Sequence, residues 1–207
     1  MVAVRRFDED EAVQRLMEAF WRNGFRATSL DDLVTATGLK RGSLYAAFGD
    51  KEAMFLRAWQ CYVERYDGPL LAMLDDPDVV AAVRALFRRM GQLAADAATP
   101  PGCLIANVAS EAAGRGDAIE AAAREAFARA ETAFYGRFLE AQAVGALAPG
   151  IDLRALARFF AAIMRSVPVV QRLTGDSGIV ADVVTVALER LAHDVRQPAV
   201  LPAEASR

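Results

Sequence analysis

Cys103, Asn107 and Glu111 follow one another at four-residue intervals, so on a helix they share one face. A thiol, an amide and a carboxylate set among Leu104, Ile105 and Val108 can orient a small polar molecule inside an apolar pocket. They can also solvate an outer face. Read as an enzyme, the chain would use Cys103 as nucleophile and Glu111 as acid/base. No third group is available to orient them, because the single histidine, His193, is far along the chain. Cys103 also follows Gly102 where a helix is expected to start. A helix N-terminus favours thiolate, which is the form electrophiles and peroxides attack. Cys103 is therefore either a sensor thiol or a passive wall.

A second group of chemistry-bearing residues is Lys40, Arg41, Gly42 and Ser43. Arg and Lys reach guanine edges or phosphates, and Gly permits close approach of a backbone. Residues 22–51 carry Arg22, Arg26, Lys40, Arg41 and Lys51 against Asp31, Asp32 and Asp50, whereas the chain from 67 onward has more acidic than basic residues. A small basic patch on an acidic body, with a net charge of −3 overall, points to nucleic acid held by one end only.

The elements that position these groups read as helices throughout, an all-α chain. No stretch alternates with period two for long. Asp8 with Glu11 opens the first helix, whose stripe is Val13, Leu16, Met17 and Phe20, and Gly24 ends it. Ser29 with Asp32 has capping-box spacing and opens a second helix that Gly38 closes. A third runs from about 40 to 48, and Asp50 caps a fourth carrying Met54, Phe55, Trp59, Tyr62 and Tyr66. Beyond Gly68-Pro69 the expected helices are 76–98, with Asp76 as cap and Pro77 in the first turn, then 103–113, 117–144, 152–173 and 179–193. Pro168 is expected to kink or interrupt its helix. Residues 197–207, with Pro198 and Pro202, are expected to be disordered.

Composition excludes much else. The 207 residues suffice for a real core, and 54% are apolar. Two cysteines without a CxxC, and one histidine, leave no expected metal site and no cofactor. The most apolar stretch, 153–173, is broken by Arg154, Arg158, Arg165 and Arg172, which argues against a membrane span. The N-terminus lacks the apolar core of a signal peptide. A cytoplasmic protein with reduced thiols is expected.

Three short helices in 8–48, the last two joined by a tight turn at Gly38, have the build of a helix-turn-helix. Leu30, Val34, Leu39, Leu44 and Phe48 can pack the pair together. The runs Gly24-Phe25-Arg26-Ala27-Thr28-Ser29-Leu30-Asp31-Asp32-Leu33-Val34, Thr37-Gly38-Leu39-Lys40-Arg41-Gly42-Ser43-Leu44-Tyr45 and Phe48-Gly49-Asp50-Lys51-Glu52-Ala53-Met54 resemble the DNA-binding domain of the TetR family of bacterial repressors. The resemblance covers about residues 8–60; further on it is one of length and all-helical plan.

It implies a homodimeric repressor that a small-molecule inducer releases from an inverted-repeat site in double-stranded DNA. Residues 1–50 would be the DNA-binding domain and 51–196 a regulatory and dimerisation domain. Thr28 and Ser29 would supply a phosphate contact and a cap. Lys40, Arg41, Gly42 and Ser43 would meet base edges or phosphates, and Tyr45 and Lys51 phosphates. Where the family usually has a histidine or larger polar residue before the phenylalanine, this chain has Ala47 after Ala46, so one phosphate contact is expected to be missing. A helical interaction protein with a silent helix-turn-helix is the alternative. The inducer pocket would draw on Trp59, Tyr62, Tyr66, Phe87, Cys103, Asn107, Glu111 and Phe134. Excess apolar surface on 153–173 and 179–193, including Phe159, Phe160 and Val186, would form the dimer interface.

Overall fold

The structure, a computed structural model, describes residues 7–176 and 178–196. The proposed tail at 197–207 and the side chain of His193 lie outside what it describes. Ten α-helices are present among the described residues: α1 (Glu9–Ala27), α2 (Leu30–Thr37), α3 (Arg41–Phe48), α4 (Lys51–Tyr62), α5 (Gly68–Ala72), α6 (Val79–Ala95), α7 (Leu104–Ala112), α8 (Ala118–Ala143), α9 (Leu153–Thr174) and α10 (Gly178–Arg196). No described helix is long and apolar enough to cross a membrane.

Local chemistry sets most of the starts. Asp8, Asp50, Asp117 and Asp152 each accept from first-turn amides, and Ser29 with Asp32 closes a full capping box. The start of α6 differs from expectation. Asp78, not Asp76, takes the amides of Val80 and Ala81, and Pro77 lies before the helix. Gly68-Pro69 does not break the chain either. After α4 the backbone widens into a π-turn, Val63–Asp67, closed by the Gly68 amide on the Val63 carbonyl, and then runs straight into α5. Pro168 is also absorbed: α9 is continuous across it. Proline has no N–H for the Met164 carbonyl. Phe160, Ala161, Met164 and Val167 are buried around it and hold the helix in line.

Two apolar clusters result. One joins α1 to α4 with α7 and the first turns of α8. The other joins α5, α6, the rest of α8, α9 and α10. Packing is thus continuous across position 50, because α7 belongs to the first cluster. Helix α8 spans both; its 26 residues reach about 39 Å. The second cluster centres on Phe160, which is fully buried and 5.5–5.7 Å from the rings of Phe134 and Phe138. This corrects the placement of Phe160 at a dimer interface: the side chain fills its own subunit's core. Phe159, Leu173 and Val186 are exposed instead. Replacing Phe160 with Ala should lower the unfolding free energy by about 3–5 kcal/mol, read from the urea midpoint at unchanged m-value.

Candidate nucleic-acid interface and the cavity behind it

Helices α2 and α3 meet at Gly38, whose φ of 69° is costly for residues with a Cβ. Its amide donates to the Val34 carbonyl at 2.9 Å. Leu33, Leu44 and Phe48 are buried beneath the pair. The opposite side exposes Lys40, Arg41, Gly42, Ser43, Tyr45, Ala46 and Ala47. Gly42 faces open space, so another backbone can approach it closely. Arg41 donates to Asp31 at 2.7 Å. Both are well exposed, and such a pair is worth little, so the guanidinium can be traded to another acceptor. Tyr45 is 44% exposed, on the surface rather than in the core.

Flanking groups are held more firmly. Ser29 and Asp32 cap each other, and the Ser29 hydroxyl and amide hold the Asp32 carboxyl below its usual range. Lys51 lies 4.6 Å above the Phe25 ring. Burial pushes its ammonium down from the usual range, Arg115 adds to that, and Glu111 and Asp32 oppose it. Thr28 does not meet the expectation of a phosphate contact. Its side chain is fully buried and its hydroxyl donates to the Gly24 carbonyl at 2.6 Å.

That carbonyl belongs to the one break in α1. Gly24 has φ 78° and ψ −179°, which interrupts the internal hydrogen bonding of the last turns. Groups from two distant helices take up the exposed backbone. Glu111 accepts from the amides of Phe25 and Arg26 at 3.0 and 2.9 Å. Asn107 donates to the Trp21 carbonyl at 3.2 Å, and Arg172 to the Arg22 carbonyl at 3.1 Å. The Trp21 indole N–H in turn reaches the Gly102 carbonyl at 3.2 Å. A Cβ at Gly24 would overlap the Glu111 carboxylate, and one at Gly102 would crowd Asn107 and Arg172.

Directly behind this joint is a narrow cavity of about 40 Å³. It lies between α1, the π-turn, α5, α6, the start of α7 and α9. Trp21, Tyr62 and Tyr66 form an aromatic corner with centroids 4.8–5.4 Å apart. The Tyr62 hydroxyl donates to the Cys103 sulfur at 3.4 Å. Burial pushes that hydroxyl well above its usual pKa, with Cys103 adding to the effect. Asp67 and Arg165 also line it, 1% and 4% exposed and ion-paired at 2.5 Å. Arg129 donates to the second Asp67 oxygen at 2.7 Å.

A helix-turn-helix joined through α1 to a helical body with a small cavity is one architecture, and its sequence matches one family over most of its length. A family model described as the C-terminal domain of tetracyclin repressor-like proteins matches residues 79–187, and one described as bacterial regulatory proteins, tetR family, matches residues 14–58. The chain belongs to the TetR family. It is 30% identical over 168 residues to the HTH-type transcriptional repressor ComR of Escherichia coli, covering 80% of each protein. It is 30% identical over 189 residues to the uncharacterized HTH-type transcriptional regulator YezE of Bacillus subtilis, covering 90% of this chain and 97% of that one. Among solved structures, a cysteine mutant of the TetR family transcriptional regulator CifR, complexed with 26-bp double-strand operator DNA, superposes with a TM-score of 0.83. It has 30% identity and covers 89% of this chain and 97% of its own.

Within this TetR-family fold the eight residues expected at a pocket separate. Tyr62, Tyr66 and Cys103 line the cavity. Asn107 and Glu111 share the expected face, but each is hydrogen-bonded to α1 and neither lines the cavity. Trp59 packs on Phe55 at 5.7 Å, and Phe87 and Phe134 are core. Missed were Trp21, Asp67 and Arg165. A signal for Arg165 existed. Arg154, Arg158, Arg165 and Arg172 fall within about 40° of one another at 100° per residue, a basic stripe that has to find acceptors. They are Glu131 for the first two, Asp67, and the Arg22 carbonyl. Replacing Gly24 with Ala should cost about 1–3 kcal/mol from the left-handed backbone and the overlap. The same substitution in a Glu111→Ala background should cost less. Thermal unfolding of the four proteins of the cycle measures the coupling.

Proposed function

We propose that this chain is a dimeric transcriptional repressor that binds an inverted-repeat operator and is released by a small molecule entering the cavity. Trp21 carries this reading: it is at once a wall of the cavity and the residue whose carbonyl and indole tie α1, and so the helix-turn-helix, to α7 and the loop before it. A molecule that parts the cavity walls shifts Trp21 or Gly102 and strains the joint. Residues 1–50 then act as the DNA-binding unit and 51–196 as the regulatory one, although their packing is shared. The protein is a cytoplasmic regulator rather than an enzyme. Cys103 and Glu111 support no reaction here, because each is engaged with a different partner. That a relative has been seen on operator DNA supports the same use of this surface.

In a two-fold dimer one α3 per subunit enters the major groove. Lys40, Arg41, Gly42 and Ser43 read bases or phosphates there, while Ser29, Tyr45 and Lys51 hold the backbone. Arg41→Ala should relax preference at particular base positions, at a cost of about 1–3 kcal/mol. Lys51→Ala and Tyr45→Phe should weaken binding evenly across sequences, and the charge-removing Lys51→Ala should flatten the salt dependence. Operator titrations at several salt concentrations separate the two patterns. A Lys51 variant with altered base preference and an unchanged salt slope would refute the phosphate assignment.

The dimer surface follows the exposed apolar residues Phe159, Leu173 and Val186 of α9 and α10. Val186→Asp places an unpaired charge there, and sedimentation should show monomers at micromolar concentration where the parent is a dimer. For the inducer site, Leu93→Trp puts an indole into a cavity of about 40 Å³, so it should part the walls as an inducer would and weaken operator binding with no small molecule present; operator titration showing unchanged affinity would overturn the site. Cys103→Ser should respond to inducer like the parent if the ligand is held reversibly. A variant that binds DNA normally and ignores electrophiles that release the parent would make Cys103 the sensor.

A further inference from the structure

The chemistry of the cavity narrows what it accepts, an inference that rests on the cavity being the inducer site. Trp21, Tyr62, Tyr66 and Met164 are part of its apolar lining, and its charged lining is Asp67 and Arg165. Two guanidiniums, Arg165 and Arg129, close on the single carboxylate of Asp67. Both oxygens of Asp67 already accept from an arginine. Arg165 is 4% exposed. One of its terminal nitrogens donates to Asp67 and the other to the Ala126 carbonyl at 3.1 Å. Its Nε–H is buried and has no acceptor.

A buried donor without an acceptor is unfavourable, and Arg165 shares its one carboxylate with the partly exposed Arg129. An anion with planar acceptor oxygens suits such a guanidinium best, because its hydrogen bond to the Nε–H is charge-assisted. A cation would compete with two arginines for an occupied carboxylate. A neutral hydrocarbon would leave the Nε–H as it is. We infer that the cavity takes a small aromatic monocarboxylate, its ring against Trp21, Tyr62 and Tyr66 and its carboxylate against Arg165. At about 40 Å³ the space holds roughly three waters. A ring-sized acid therefore has to widen it, and in this proposal α9 is the wall that yields. Arg172, two turns beyond Arg165 on the same stripe, moves with it and leaves the Arg22 carbonyl.

The test titrates the full-length dimer with benzoate, benzamide and benzylamine by calorimetry, with melting temperature followed in parallel. Benzoate should bind at least about tenfold more tightly than benzamide, and benzylamine should not bind. Arg165→Lys keeps a cation for Asp67 but lacks the guanidinium edge, and should bring benzoate and benzamide to within about threefold of each other. The comparison on the unaltered protein decides the matter even if that variant does not fold. Benzamide binding as tightly as benzoate overturns the acid inference and leaves the inducer site standing. Failure of all three to bind overturns the acid inference too, and the Leu93→Trp experiment then decides the site separately.

Discussion

Four backbone groups around Gly24 decide how the DNA-facing unit is held. In an unbroken helix the carbonyls of Trp21 and Arg22 and the amides of Phe25 and Arg26 would be satisfied within the helix itself. At a φ of 78° they cannot be, and polar backbone groups at a packed junction have to find partners. They find Asn107, Arg172 and Glu111. Apolar packing alone would let α1 slide on α7. Hydrogen bonds are directional, so these fix the entry angle of everything from Phe25 to Lys51. The glycine at 102 belongs to the same construction, because any side chain there would push Asn107 and Arg172 off their acceptors.

Electrostatics supplies the counterpart elsewhere in the cavity lining. Asp67 is almost wholly buried, and its charge is tolerable only because Arg165 and Arg129 converge on it. Arg165 and Arg172 are seven residues apart on one stripe, so α9 ties the Asp67 pair and the Gly24 joint to a single rigid rod. A displacement at the first is passed to the second without a chain of intermediates. The cavity is lined by residues of both polar clusters, where a small intruding volume has most leverage.

The sequence disclosed the parts governed by local rules. Gly38, the Ser29–Asp32 box and the run from Lys40 to Tyr45 sit within one short stretch of chain, and their geometry follows from neighbours three or four positions away. The helix starts at Asp117 and Asp152 were legible for the same reason. Asp76 was misread because two aspartates flank Pro77 and either can cap. Asp67 was hidden because a carboxylate beside Gly-Pro reads as a solvent turn. Its partners are 62 and 98 residues away, a distance no window reaches. Trp21 was hidden by being one more apolar residue on a buried stripe. Phe160 and Phe159 could not be told apart by composition, and only the phase of α9 against α8 sends one inward and leaves the other out.

The π-turn between α4 and α5 has a consequence in terms of register. A single i→i+5 turn amounts to one residue more than an α-helix would hold in that span. Each residue advances a helix by about 100°. Removing one residue between Val63 and Asp67 would let α4 and α5 merge into an ordinary helix, and would rotate whatever lies on one side of the deletion by that angle against the other. Asp67 could not then face α9 while Tyr62 and Trp59 kept their places in the first cluster. The polar floor of the cavity is in this sense the product of one surplus residue, and a deletion there would leave Arg165 buried with no carboxylate opposite it.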